Sequence, residues 1–148
     1  FAARGSDGRV FPWGDAPPSP ERVNGCGREC VAWRRSAGLS ETPTLYDVDD
    51  GFHGTAPVGS FPAGATADGL LDIIGNVFEW TDDAYRPYDD DAAEPDPAYR
   101  VIRGGAFNSF QPEHANPALR YPMAADAHSH GIGFRCAVEL ERSAPSTE

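Results

Sequence analysis

Apolar positions along this chain fall in short runs, without a sustained helical or alternating period. The longest, Leu70 to Val77, is broken by Asp72 and Gly75. No segment keeps helical spacing beyond a turn or two, so no long helix is expected. Three stretches predict strands: Arg100 to Ile102, Phe107 to Phe110 and Gly133 to Val138, each apolar or aromatic and bounded by turn residues. Asp82 to Pro97 holds seven acidic residues and three prolines with few hydrophobes, and predicts a surface loop. Ser143 to Glu148 is polar and predicts a fraying tail. There is no internal repeat.

Composition sharpens this picture. Glycine (16) and proline (14) are spread over all 148 residues, well above the average share, so irregular backbone is packed throughout rather than gathered in a linker. The pattern describes one α+β domain with little regular structure. No apolar run approaches the roughly 18–20 residues of a membrane helix. The opening residues lack the build of a signal peptide, and nothing identifies a compartment. A formal charge of -11 and a pI near 4.6 disfavour nucleic acid as a partner. That acidity describes either a solvated surface or carboxylates gathered on hard cations.

Two groups of side chains carry candidate chemistry. Cys26 and Cys30 lie four apart and form either a small disulfide loop or two free thiols. Zinc is disfavoured because no second pair completes four ligands. Asp72 and Glu79 are the only charges in a strongly apolar stretch, and a buried carboxylate needs a cation, a metal or backbone N–H groups. Two readings stay open from chemistry alone. One is Asp72 as a helix cap with Glu79 in a salt bridge. The other is a Ca²⁺ ion between them, with Gly75 permitting the bend.

Gly75-Asn-Val-Phe-Glu-Trp-Thr81 resembles the Gly-Asn-Val-Trp-Glu-Trp-Thr signature of the formylglycine-generating enzyme (sulfatase-modifying factor) family. Its surroundings resemble the family in the same order: Phe1-Ala-Ala-Arg-Gly, Phe11-Pro-Trp-Gly-Asp15, Thr55-Ala-Pro-Val-Gly-Ser-Phe-Pro62, Arg100-Val-Ile-Arg-Gly-Gly105 and Gly133-Phe-Arg-Cys-Ala137. The resemblance implies a variant of the C-type-lectin-like fold. It also implies one Ca²⁺ held by the Asp72 and Glu79 side chains with the Gly75 and Val77 carbonyls. A second Ca²⁺ would take Asn24, the Gly25 carbonyl, Asp50 and the Phe52 carbonyl.

Catalytic members of that family oxidise a substrate cysteine with O₂ on two cysteines that bind copper(I). The first of those positions is Ser109 here and the second is His114, while a serine that usually follows the two glycines is Ala106. Ser109 and His114 cannot form a linear dithiolate, so copper and cysteine-oxidising activity are not expected. Cys136 is expected to be a buried, inert thiol in a strand. Arg120 aligns with a family arginine near the cleft and, with Ser109 and His114, forms the candidate ligand-binding cleft. His128 and His130 predict exposed loop histidines, with a transition-metal pair as the sharper reading. Arg103 and Arg135 are expected to be structural.

Family domains are longer, and the opening motif corresponds to a point well inside one. Residues 1–142 therefore resemble the C-terminal portion of such a domain, with 143–148 as a polar tail. Apolar surface is expected where the front part would cover it. Three functions compete. The leading one is a calcium-binding module of a larger protein, binding a peptide or protein ligand. The others are a divergent oxidoreductase of the family and a ligand-binding variable protein of a diversity-generating retroelement, varying Ala106 to Ile132.

Overall fold

The computed structural model describes residues 2–90 and 92–138. The predicted tail lies outside the described residues. Among the described residues one α-helix, α1 (Arg28–Ser36), precedes four strands: β1 (Phe78–Tyr85), β2 (Asp96–Arg103), β3 (Tyr121–Ala124) and β4 (Ile132–Gly133). Single 3-10 turns occupy Pro62–Gly64 and Pro112–Ala115. The strands form one mixed sheet in the order β3-β2-β1-β4, in which β4 runs parallel to β1 and the other pairs are antiparallel. This is the α+β class expected from sequence. No helix among the described residues is long and apolar enough to cross a membrane.

The sheet corrects three predictions. The loop expected over Asp82 to Pro97 is shorter, because β1 runs on to Tyr85 and β2 begins at Asp96. The register shifts between Trp80 and Ala84, so Asp82 and Asp83 stay exposed while the strand continues. Phe107 to Phe110 is no strand. Phe107 and Asn108 lie in a turn closed by the Ser109 N–H on the Ala106 carbonyl (2.8 Å). Of Gly133 to Val138, only Gly133 is in a strand, since β1 pairs with just two residues of β4.

Helix α1 was invisible to periodicity because only Glu29 and Cys30 are buried along its nine residues. Other features stabilise it. Arg34 and Arg35 lie in the last turn, where the helix dipole favours cations. Cys26 and Cys30 pair as a disulfide that ties its first turn to the preceding segment.

The core gathers Val23, Tyr46, Ile74 and Ala115, with Phe11, Trp13, Leu45 and Ile73 packed against them. Val101 and Ile102 are fully buried in β2. Loops cross beside this core and satisfy one another's backbone groups. Gly75 donates to the Gly104 carbonyl (2.8 Å), Asn76 to the Asn24 carbonyl (2.9 Å) and Phe107 to the Asn76 carbonyl (3.0 Å). Asn76 sits at φ +62, a region Asn tolerates better than most residues. Its side chain accepts from Ala56 N–H (2.9 Å) and Asn24 Nδ2 (3.2 Å), and donates to the Ala56 carbonyl (3.2 Å). Three motifs distant in sequence thus meet at one buried asparagine.

Candidate functional site

The signature turn folds as its charges require. Asp72 adopts φ +53, which strains a non-glycine residue, and its Oδ2 accepts the Gly59 N–H at 2.7 Å. Glu79, the second residue of β1, accepts from Arg135 through both oxygens, at 2.6 and 2.5 Å. Arg135 also donates to the Leu71 and Asp72 carbonyls (3.0 and 3.1 Å). Asp72, Asn76, Val77 and Glu79 line one groove of about 430 Å³, whose rim is apolar at Val58, Leu70 and Phe134. Gly75 is buried and does not line this groove. The salt bridge foreseen for Glu79 is therefore present, whereas Asp72 caps no helix. With Arg135 already balancing Glu79, this groove is the weaker fit for a divalent cation.

The second cradle fits better. Asn24 is buried, and its Nδ2 donates to the Gly54 carbonyl (3.0 Å) and to Asn76 Oδ1, but its Oδ1 is buried with no hydrogen-bond partner. An orphaned buried carbonyl oxygen is costly unless a cation or a further donor meets it. Tyr46 joins the cradle's halves. Its hydroxyl accepts the Gly25 N–H (2.9 Å) and donates to Asp50 Oδ2 (2.6 Å). Burial pushes the Tyr46 phenol far up, so it stays a neutral donor. Burial also raises the Asp50 carboxyl above its ordinary value, against the opposing bonds from Tyr46 and the Phe52 N–H (2.9 Å). Carboxylate oxygens of Glu29, Asp49 and Asp50 lie within 4.8 Å of one another. Sequence reasoning named Asp50, Asn24, Gly25 and Phe52 but missed Glu29, Asp49 and Tyr46. Glu29 was hidden because nothing in the sequence marked α1 as a helix.

Of the two positions where the resemblance implies catalytic cysteines, the first is closed. Ser109 is buried, and its Oγ accepts the Ala106 N–H at 2.9 Å. Ser109 and His114 both border a packed crevice with no room for water. Only His114 faces open space. It lies in the Pro112–Ala115 turn, edge-on to Phe78 at 6.0 Å, beside a cavity of about 300 Å³ lined also by Ile102, Tyr121, Met123 and His128. His130 turns instead against Phe107 at 5.5 Å, and among the described residues neither it nor His128 joins a group of three metal-ligating side chains.

Arg120 is in a different groove. Its guanidinium lies over the Tyr88 ring at 4.9 Å and donates to the Arg86 carbonyl at 2.8 Å. Ser109, His114 and Arg120 therefore do not form one cleft: a packed turn, a cavity and a separate groove divide them. Cys136 also departs from expectation, being an exposed free thiol beyond β4. It lost its strand because the sheet ends at Gly133.

The model of the sulfatase-modifying factor enzyme 1-like domain matches residues 1–140. This chain belongs to that family. It is 35% identical over 142 residues to the protein named inactive C-alpha-formylglycine-generating enzyme 2 of Bos taurus, covering 93% of this chain and 40% of that one. It is 32% identical over 155 residues to the formylglycine-generating enzyme of Mycobacterium tuberculosis, covering 94% of this chain and 48% of that one. Among solved structures it resembles PvdO from Pseudomonas aeruginosa, with a TM-score of 0.62 and 26% identity over 90% of this chain and 47% of that one. The chain spans less than half the length of these relatives.

Proposed function

We propose that this family domain is a calcium-stapled, non-catalytic module of a larger protein, binding a peptide, protein or small ligand on a C-type-lectin-like scaffold. The observation that carries the non-catalytic reading is Ser109. Its oxygen is buried and bonded to the Ala106 N–H at the position of the first copper-binding cysteine, with His114 at the second. A hydroxyl and an imidazole are harder donors than two thiolates and suit copper(I) poorly. The relative named inactive agrees with this reading, although relatives named as enzymes match about as well. Incubation with copper(I), O₂ and a cysteine-containing sulfatase peptide is expected to leave the cysteine unchanged. Formylglycine in the product would overturn the reading in favour of a divergent oxidoreductase.

The calcium reading is supported by the orphaned Asn24 Oδ1 and the half-buried Asp50. Asn24, the Gly25 carbonyl, Asp50 and the Phe52 carbonyl would hold one ion, and Asp72, Gly75, Val77 and Glu79 a second. Calcium supplies charge neutralisation and cross-links loops that make little regular structure. The cavity beside His114 suits a ligand group of modest size, since its walls are mostly apolar and aromatic with a few polar groups to orient it.

The rest of the domain is the partner we assign to the face beyond β4. Phe134 and Val138 are 75% and 81% exposed, and Val58 across the groove is 88% exposed. Exposed apolar residues of this size suit a partner surface, and the relatives are more than twice as long as the stretch this chain matches. Cys136 reports on this. Its thiol is expected to react rapidly with a thiol reagent in the 148-residue chain and slowly in the complete natural polypeptide. Equal rates would remove this assignment.

A further inference from the structure

We propose that Glu29 and Asp49 join Asp50 and Asn24 around a single calcium ion, giving this chain a more carboxylate-rich cradle than the family pattern implies. The inference rests on the calcium reading above and names two ligands that the reading does not contain.

The distances set the first condition. Calcium binds oxygens at about 2.3–2.6 Å, so any two ligands of one ion lie no further apart than twice that, about 5 Å. The carboxylate oxygens of Glu29, Asp49 and Asp50 meet this, all within 4.8 Å. Three carboxylates so close repel one another unless a cation or protons intervene.

Charge sets the second condition. Glu29 is 97% buried by its 3% exposure, yet no salt bridge reaches it among the described residues. It meets only the N–H groups of Gly27 (2.9 Å) and Asp50 (3.3 Å). The neighbouring cation, Arg28, is committed to Asp47 at 2.8 Å on the exposed side of the helix. A buried carboxylate with no cation is among the costliest groups a fold can hold.

The orphaned Asn24 Oδ1 is the independent observation. Its amide nitrogen is already spent on Gly54 and Asn76, which leaves the buried oxygen without a partner. Gly25, next in the chain, is tied through Tyr46 to Asp50. A neutral oxygen donor lacking a partner thus lies one residue from Gly25, which Tyr46 ties to Asp50 of the carboxylate cluster, and oxygen-only ligation suits calcium.

The local sequence builds this arrangement. The Cys26–Cys30 disulfide holds the first turn of α1 against the Asn24 segment. Arg28 N–H donates to the Val48 carbonyl at 3.1 Å, docking the helix start on the loop that carries Asp49 and Asp50. Gly27 leaves the gap open, since a Cβ there would lie 2.3 Å from the Val48 carbonyl and 2.6 Å from Glu29 Oε2.

Calcium titration of the purified chain, with elemental analysis and melting curves with and without chelator, tests the assignment. Asp49→Asn changes an exposed side chain and should fold normally. It and Glu29→Gln are each expected to weaken one calcium-binding step by roughly tenfold or more, because affinity tracks ligand charge. Because Gln offers one acceptor where Glu29 meets two N–H groups, Glu29→Gln is read by the gap in melting temperature between calcium and chelator, which should be smaller than in the parent. Variants that bind calcium like the parent would sink this inference and leave the calcium reading standing. A parent chain that takes up no calcium would sink both.

Discussion

Gly75→Ala is expected to destabilise the fold by about 3–5 kcal/mol, enough to leave little native protein if the domain has ordinary stability. Two effects add. Gly75 adopts φ +81, which costs about 1–2 kcal/mol for an L-residue. A Cβ would also lie 2.3 Å from Val23 Cγ2 and 2.4 Å from the Asn24 carbonyl oxygen, inside the crossing that organises the core. Gly69 separates the two effects, because it has the same φ of +81 but nothing within 4 Å of an added Cβ. Gly69→Ala should therefore cost only the backbone part, about 1 kcal/mol. Urea denaturation of both variants checks this. Equal losses would show that backbone conformation, not the crossing, makes Gly75 necessary.

Withdrawing calcium is expected to lower the melting temperature by roughly 10 °C at neutral pH. An ion at a thousand times its dissociation constant stabilises by about 4 kcal/mol per site, and each kcal/mol moves the midpoint of a domain this size by about 2–4 °C. The pH dependence has a definite sign. Burial raises the Asp50 carboxyl, so the metal-free fold holds a proton there more tightly than the unfolded chain does. Asp50 alone thus favours folding below its unfolded value of about 4, and this contribution is lost as pH rises through the raised folded value. Calcium competes with that proton. The difference between calcium and chelator should therefore grow as pH rises above this range and shrink to little in acid. Scanning calorimetry at several pH values would show it, and a chelator effect that persists in acid would rule out Asp50 as a ligand.

The sites were legible to very different degrees. Asp72 and Glu79 stood out because charges interrupting an apolar run need an explanation wherever they fold. What that explanation is depended on Arg135, 56 residues beyond Glu79, which no local pattern could bring there. Ser109, His114 and Arg120 were grouped as one cleft because the family resemblance places their counterparts there. In the fold Ser109 closes a turn, His114 opens on a cavity and Arg120 stacks on Tyr88. Spacing along an irregular backbone does not tell which way a side chain faces, as no period of 2 or 3.6 relates neighbours.

The sequence by itself determined family membership, the α+β class and the substitutions at Ala106, Ser109 and His114. These reside in residue identity and motif order, which do not depend on how the segments pair. Only the tertiary structure decided where the strands begin and end, that Cys136 is exposed, and that Glu29 meets Asp49 and Asp50. Each depends on pairing between distant segments: β1 with a two-residue β4, and helix α1 with the 48–50 loop. In a fold rich in glycine and proline, such long-range bonds replace the local periodicity from which structure is ordinarily read.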